Sequence, residues 1–360
     1  MQLKAINSQQ LFKTLTVILL FVSTQLSAQN TTQKLDTWLK ENTPKMGGRS
    51  VLMVYKDGKI VYSRSENKMN MSQRIAYRMI ARKQGKSTDL EDYDPNSQLQ
   101  IASCSKWLSA ALVMTFVDEG KLKTTDTIGK YLPALSKSGK GKITIAQCLS
   151  HTTGIKAPAL KESLQETKSL SSMEQAVAQI ADLPIEGTPG TVFHYSNVGL
   201  QLAGAIIEKI GNNSFENLFQ ERIAKPLEMK NTSFGQTKVP LPAGGAVSTT
   251  EDYLNFLIMI LNKGTFEGKR ILSENSIKEM QINRITSKVK VAYSPAEAGV
   301  PGYGYGEWIS TGSVSSPGLF GSFPVVDNRK GYAAFLMTFY LKSDGKQQRY
   351  SELKKILDDI

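Results

Sequence analysis

A serine and a lysine three residues apart, Ser103 and Lys106, are the side chains in this chain best placed to do chemistry. Three residues of helix bring both onto one face, where a neutral amine can take the proton of a hydroxyl group. Residues 107–114 are apolar on nearly every side, which indicates a buried helix. Because burial removes water from an amine and lowers its pKa, the pattern predicts Ser103 as a nucleophile activated by Lys106.

The spacing by itself is weak evidence, because it occurs three more times, beginning at Ser65, Ser287 and Ser351. Those matches lie in polar sequence that is typical of a solvated surface. Ser103 also has a structural alternative, in which its hydroxyl group caps a helix and Lys106 extends its amine to water. The apolar surroundings of Ser103 are what separate it from the other matches.

Tyr195 and Asn197 form a second candidate pair, between a Pro-Gly turn and an apolar helical segment. A phenol can pass a proton between a nucleophile and a leaving group, and a carboxamide can hold a substrate amide or the lysine amine. A loop position leaves both side chains free to line a cleft. The same spacing at Tyr253 and Asn255 falls inside a predicted helix, where residues two apart point in different directions.

The composition argues against metal and nucleic-acid chemistry. The chain has two His and two Cys, and neither HExxH nor CxxC occurs, so we expect no metal and no other cofactor. Cys104 and Cys148 either form one disulfide or stay as buried thiols. The formal net charge is +12, but no aromatic-plus-basic motif accompanies it. We therefore expect scattered surface lysines and no nucleic-acid partner.

The N-terminus has the pattern of an export signal. Two lysines and an apolar run at residues 15–22 precede small residues at 27–28. The run is far shorter than the roughly 20 residues needed to cross a bilayer. Residues 1–28 are therefore predicted to be a cleaved signal peptide, and the mature chain is predicted to be periplasmic or secreted, with no membrane span.

Strand signals at both ends of the chain, with helical signals between them, indicate how the candidate residues are positioned. Residues 51–62 are predicted to form a hairpin turning at Asp57 and Gly58, and residues 303–342 to return to strands. Helices are predicted over residues 32–39, much of 103–232, 251–262 and 350–360. The pattern predicts an α+β fold (α/β sandwich), in which helices flank an antiparallel sheet formed from both chain ends.

A mostly helical lobe is inserted into this sheet. Residues 29–360 are predicted to form one unit, with a sheet lobe over about 29–98 and 300–360 and a helical lobe over about 99–299. The polar connection at 64–98 carries no clear secondary-structure signal.

Four ordered segments resemble landmarks of the serine β-lactamase and penicillin-binding-protein superfamily, and class C β-lactamases in particular. The segments are residues 101–106 (IASCSK), 149–154 (LSHTTG), 189–197 (PGTVFHYSN) and 243–249 (AGGAVST). The similarity covers roughly residues 45–342, and its order and spacing are more specific than any single motif. It implies a β-lactamase/DD-peptidase-like fold.

The resemblance also implies a mechanism. Ser103 attacks a carbonyl to give an acyl-enzyme, and Lys106 and Tyr195 share the proton transfers. Asn197 orients the site, and the backbone N–H of Ser103 supplies half of an oxyanion hole, whose donors are each worth about 3 to 4 kcal/mol. Whether Lys106 or Tyr195 is the base stays open. His151 matches a family turn and is expected to be structural.

The third family motif departs from its usual form. Relatives carry Lys-Thr-Gly or His-x-Gly on a strand beside the nucleophile, whereas the best local match is Ser316-Pro317-Gly318, without a cation. Gly318 would let a substrate approach closely, and the N–H of Leu319 would complete the oxyanion hole. A substrate carboxylate at Ser316 would lose a charged hydrogen bond worth about 1.5 to 3 kcal/mol.

These features together predict a secreted serine hydrolase acting through an acyl-enzyme on an ester, amide or lactam. The substrate is a small molecule or a peptidoglycan-like acyl compound. The missing cation favours esterase or amidase activity over the alternatives, β-lactamase or D-amino-acid-specific carboxypeptidase. An alternative from another class is a catalytically inert envelope-binding protein.

Overall fold

The computed structural model describes residues 30–360 with several gaps. The residues outside the description are 84, 86, 159–169, 236, 296–297, 299–301 and 343. The predicted signal peptide, residues 1–28, also lies outside the described residues.

Apolar and β-branched runs at both ends of the described chain form its largest sheet. In chain order the strands are β1 (Arg49–Lys56), β2 (Lys59–Asn67), β3 (Leu99–Gln100), β4 (Val192–His194), β5 (Val247–Ser248), β6 (Thr265–Phe266), β7 (Lys269–Arg270), β8 (Lys290–Tyr293), β9 (Gly302–Tyr303), β10 (Trp308–Ser310), β11 (Ser313–Ser315), β12 (Phe323–Asp327) and β13 (Tyr332–Thr338). Seven of them form an antiparallel sheet in the order β2-β1-β13-β12-β11-β10-β9. The N-terminal hairpin therefore lies directly beside the last strand of the chain.

The predicted hairpin is present, since β1 pairs with β2 and Lys56 lies opposite Lys59. Asp57 and Gly58 between them have φ values of 50° and 81°. Positive φ at both central residues matches the twist of a tight two-residue hairpin turn, for which Asp-Gly is a preferred sequence.

Helices cover both faces of this sheet. In chain order, the helices of the described chain are α1 (residues 30–42), α2 (Met71–Lys83), α3 (Ser105–Asp118), α4 (Pro133–Lys137), α5 (Ile145–Leu149), α6 (Met173–Asp182), α7 (Val198–Gly211), α8 (Phe215–Phe219), α9 (Thr250–Leu261), α10 (Glu274–Met280) and α11 (Lys346–Leu357). None of the helices in the described part of the chain combines the length and hydropathy needed to span a bilayer.

Strand β13 shows how the sheet divides the core. All seven of its residues are buried, as expected for a central strand covered on both faces. Tyr332, Ala334 and Leu336 face a cluster that includes residues of α1 and α11. Ala333 and Phe335 face the larger cluster, which includes residues of α3, α7 and α9. This alternation follows from the two-residue period of a strand, and it confirms the predicted α+β sandwich.

Two segments differ from the sequence-based expectation. The connection at 64–98 contains the end of β2 and the whole of α2. The last helix begins at Lys346, earlier than the predicted start at Tyr350. Its first four residues, KQQR, carry no apolar periodicity that would reveal a helical turn.

Candidate active site

Ser103 lies in a short 3₁₀ turn, Ala102–Cys104, that leads directly into α3. Ala102 has a positive φ of 46°, a conformation that costs a residue with a side chain of order 1–3 kcal/mol. The hydroxyl group of Tyr253 on α9 supports the turn by donating a 2.8 Å hydrogen bond to the carbonyl oxygen of Cys104. The structure therefore gives Tyr253 a supporting position behind Ser103.

Lys106 lies on the first turn of α3 with its amine at the base of a cleft. The residue is 1% exposed, and its Nζ donates a 2.6 Å hydrogen bond to the carbonyl oxygen of Ala243. Nζ also lies 3.3 Å from Ser103 Oγ and 3.4 Å from Asn197 Oδ1. Burial lowers the pKa of Lys106 to about 7, because loss of water penalises the charged amine. Lys106 is thus available as a base near neutral pH, within reach of Ser103.

The loop before β5 holds α3 in place. Ser109 Oγ donates a 2.6 Å hydrogen bond to the carbonyl oxygen of Pro242. Ser105 Oγ accepts a 3.1 Å hydrogen bond from the backbone N–H of Ala246. Together with the contact of Lys106 to Ala243, these bonds align the helix and the loop, so the position of the amine is determined by several backbone contacts.

Tyr195 directly follows β4, which pairs in parallel with β8. Its backbone N–H donates a 3.1 Å hydrogen bond to the carbonyl oxygen of Tyr293. Its ring stacks on Trp308, with ring centroids 5.4 Å apart. The centroid of the Tyr195 ring lies 4.7 Å from Lys106 Nζ. The structure therefore brings Ser103 and Lys106 together with Tyr195 and Asn197, a pair that is distant from them in sequence.

His151 is buried beside the Tyr195 ring, with centroids 4.7 Å apart. Its Nε2 lies 3.0 Å from the hydroxyl oxygen of Tyr303. Burial lowers the pKa of His151 well below its usual range, so its ring is neutral. The ring packs against Tyr195, and a structural role for His151 stays a prediction.

Ser316 lies beside the nucleophile turn, but its side chain does not face the cleft. It is 1% exposed, and its hydroxyl group donates to the carbonyl oxygens of Ser103 at 3.2 Å and Gly306 at 3.0 Å. The expected substrate contact at Ser316 therefore needs correction, because the loop turns this side chain inward between two backbone segments.

Gly318 and Leu319 lie at the edge of the cleft next to the nucleophile turn. A Cβ atom at Gly318 would be only 2.3 Å from the carbonyl oxygen of Ile101, so close approach of these segments requires glycine. Leu319 lines the cleft together with Pro317. The backbone of this loop is thus close to Ser103, although the Ser316 side chain points away.

The cleft has a volume of about 1180 Å³ and includes Ser103, Lys106, Tyr195 and Asn197 in its lining. Much of its wall is apolar, and the apolar residues include Leu170, Ile180, Leu183, Val198, Leu241, Trp308 and Leu319. Charged side chains also line it, namely Lys156, Asp182 and Glu186. Such a cleft can enclose a largely uncharged group beside a nucleophile.

A sequence profile of the Beta-lactamase family matches residues 35–355, which is most of the chain. The chain belongs to the Beta-lactamase family. This confirms the resemblance drawn from the four ordered segments, and it assigns the chain to a family of serine hydrolases.

Relatives of this Beta-lactamase family member include the uncharacterized protein MT1414 of Mycobacterium tuberculosis (strain CDC 1551 / Oshkosh), 27% identical over 53% of this chain and 60% of that protein. Protein flp of Staphylococcus aureus (strain MW2) is 26% identical over 57% of this chain and 39% of its own length. The matches therefore span 60% or less of these relatives.

Solved structures share the fold over nearly the whole chain. A candidate β-lactamase from Bacteroides dorei DSM 17855 has a TM-score of 0.74 and 26% identity, covering 90% of this chain and 98% of that one. A family VIII carboxylesterase has a TM-score of 0.70 and 17% identity, covering 92% and 98%. EstCE1, a hydrolase with promiscuous acyltransferase activity, has a TM-score of 0.71 and 18% identity, covering 92% and 99%.

Two features of the site in this Beta-lactamase family member had no signal in the sequence. His194 Nδ1 lies 2.6 Å from Glu186 Oε1, and both residues line the cleft beside Tyr195. Lys346 at the start of α11 is fully buried, and its amine donates to the carbonyl oxygen of Leu319. Both contacts join segments whose proximity depends on the tertiary fold.

Proposed function

We propose that this protein is an exported serine hydrolase that forms an acyl-enzyme at Ser103 and prefers esters of apolar acyl groups. The observation that carries the proposal is the buried Lys106 amine, 3.3 Å from Ser103 Oγ and 3.4 Å from Asn197 Oδ1. A buried amine with a lowered pKa beside a hydroxyl group is the arrangement that makes serine nucleophilic.

In the proposed reaction, Ser103 Oγ attacks the ester carbonyl carbon while Lys106 takes the hydroxyl proton. The backbone N–H groups of Ser103 and Leu319 stabilise the oxyanion. Tyr195 relays the proton to the departing alcohol, and the bond between the carbonyl carbon and the alcohol oxygen breaks. Water then attacks the acyl-enzyme, which releases the carboxylic acid and restores Ser103.

The lining of the cleft favours uncharged acyl groups over substrates that carry a carboxylate. Among the cleft residues that the structure describes, Lys156 is the only cation besides Lys106, and it shares the lining with Asp182 and Glu186. Ser316 presents no polar group to the cleft. The fold similarity to a carboxylesterase and to EstCE1 adds support for ester substrates.

The decisive experiment combines a fluorophosphonate probe with two chromogenic substrates. We expect the probe to label wild-type protein but not Ser103→Ala, and a short-chain nitrophenyl ester to be turned over faster than a chromogenic cephalosporin. Ser103→Ala should lower kcat by about four orders of magnitude or more. Ser351→Ala is the matched control, because exposed Ser351 has the same spacing to its lysine.

Two results would contradict the proposal in different ways. Folded wild-type protein that the probe does not label would favour the inert envelope-binding alternative. A strong preference for the cephalosporin would instead assign β-lactamase activity to the same nucleophile.

A further inference from the structure

Helix α2 carries an exposed apolar stripe. Met71, Ile75 and Met79 are 71%, 52% and 56% exposed. Residues four apart lie on the same side of a helix, so the three side chains form one continuous row. Large apolar side chains aligned in this way on a surface mark a site of interaction.

The opposite side of α2 is held against the body of the protein. Gln73 Nε2 donates a 2.6 Å hydrogen bond to the carbonyl oxygen of Pro44. The guanidinium carbon of Arg49 lies 4.2 Å from the centroid of the Tyr77 ring, and Ala81 is 4% exposed. These contacts set the rotation of the helix and direct the stripe outward.

Positive charge borders the stripe. The helix carries four cations and no acidic residue, the cations being Arg74, Arg78, Arg82 and Lys83. On a helical wheel Arg78 and Arg82 lie next to the apolar row. In the described part of the chain, none of the four forms a salt bridge within 4.0 Å. Their charge is therefore available to an external partner.

We propose that α2 docks this protein onto the surface of an anionic lipid bilayer. The apolar row enters the boundary between headgroups and acyl chains, and the flanking cations bind lipid phosphates. A protein groove that wraps a helix is disfavoured, because Gln73, Tyr77 and Ala81 already hold one side of α2 against the body. A flat bilayer needs only the outward face. The docking is independent of the substrate that Ser103 attacks.

Cosedimentation with lipid vesicles tests this surface. Every variant is purified with the same N-terminus as the wild type. Each protein is then mixed with anionic vesicles of phosphatidylglycerol and phosphatidylcholine, or with neutral vesicles of phosphatidylcholine alone. We expect binding to the anionic vesicles only. Raising NaCl from about 0.05 M to about 0.5 M should weaken it through screening.

Two triple variants separate the contributions of charge and apolar area. The Arg74→Gln, Arg78→Gln, Arg82→Gln variant should bind about 100-fold more weakly, since each cation near an anionic surface contributes about a factor of five. The Met71→Ser, Ile75→Ser, Met79→Ser variant should lose at least about tenfold. Circular dichroism melting checks that both variants remain folded.

The controls remove three positive charges, or two exposed apolar side chains, elsewhere on the surface. One replaces three exposed lysines with glutamine, at Lys59, Lys137 and Lys269, and the other replaces exposed Ile60 and Ile282 with threonine. Both controls should bind like wild type. Wild-type protein that ignores anionic vesicles, α2 variants that bind normally, or controls that lose as much binding would each overturn the proposal. A different outcome is wild-type protein that fails to bind vesicles but self-associates. If the Met71→Ser, Ile75→Ser, Met79→Ser variant then abolished self-association, the stripe would be an interface with a second copy of the chain.

Discussion

At the scale of single residues, the protonation of Lys106 governs the proposed chemistry. Burial lowers its pKa to about 7, and a protonated amine cannot accept the proton of Ser103. We therefore expect kcat/KM for a nitrophenyl ester to rise with pH through about 7 and to level off above it. The measurement is a pH–rate profile from about pH 5 to 9, which reports the pKa of the free enzyme.

The lysine assignment has a direct check. In Lys106→Met, the residual kcat/KM should no longer rise with pH through about 7, because the amine that titrates there is gone. A rising limb at the same pH in this variant would assign the titration to another group.

Tyr195 offers a second prediction at this scale. Tyr195→Phe keeps the ring that stacks on Trp308 but removes the proposed proton relay. We expect kcat to fall by about 10²- to 10⁴-fold with little change in melting temperature. Tyr293→Phe is the matched control, because Tyr293 also lines the cleft but has no role in the proposed reaction. An equal fall in kcat in Tyr195→Phe and Tyr293→Phe would mean that loss of any phenol hydroxyl group from the cleft lowers activity, and would contradict the proton relay.

At the scale of elements, the loop after β11 must lie close to the nucleophile turn. Gly318→Ala would place a Cβ atom 2.3 Å from the carbonyl oxygen of Ile101, so the loop must move away and take the Leu319 N–H with it. We expect kcat to fall by about 10²- to 10³-fold, the cost of losing an oxyanion donor, with a smaller effect on KM.

A nearby glycine with room for a side chain provides the control. A Cβ atom at Gly244 would be no closer than 3.8 Å to its neighbours, which is ordinary van der Waals contact. Gly244→Ala should therefore keep nearly full activity. Unchanged activity of Gly318→Ala would mean that this loop does not supply the oxyanion hole.

At the scale of the whole molecule, one large apolar core is shared by the sheet and the helices on one of its faces. It includes Cys104, Cys148 and sheet residues such as Phe335. Both cysteines are free and buried, and burial raises the pKa of Cys104 and raises that of Cys148 to about 12. A buried, protonated thiol is a poor nucleophile. Both thiols should therefore resist Ellman's reagent in the native protein.

Unfolding in urea should expose both thiols together, at the concentration where circular dichroism is lost, because one core unfolds cooperatively. The count of reactive thiols is compared with the dichroism across the same titration. One thiol reacting well before the main transition would show that the surroundings of Cys104 and Cys148 unfold in separate steps.

Much of this organisation could be predicted from local patterns. The hairpin at Asp57 and Gly58 follows from turn chemistry, and the segment after Ser103 is apolar enough to specify a buried helix. Helix α2 was missed because it packs on few apolar residues and most of its surface is polar or exposed. The spacing of its apolar residues therefore differs from that of a core-facing helix.

The sequence alone determined the spacing of Ser103 and Lys106, the order of the family segments and the strand signals at both chain ends, because each depends on near neighbours along the chain. Only the tertiary structure decided that Ser316 faces inward, that Glu186 meets His194 and that Lys346 supports Leu319. Those contacts depend on how distant segments pack and on the direction in which a loop leaves its strand. A motif can therefore locate a loop beside a nucleophile without revealing which of its side chains enters the cleft.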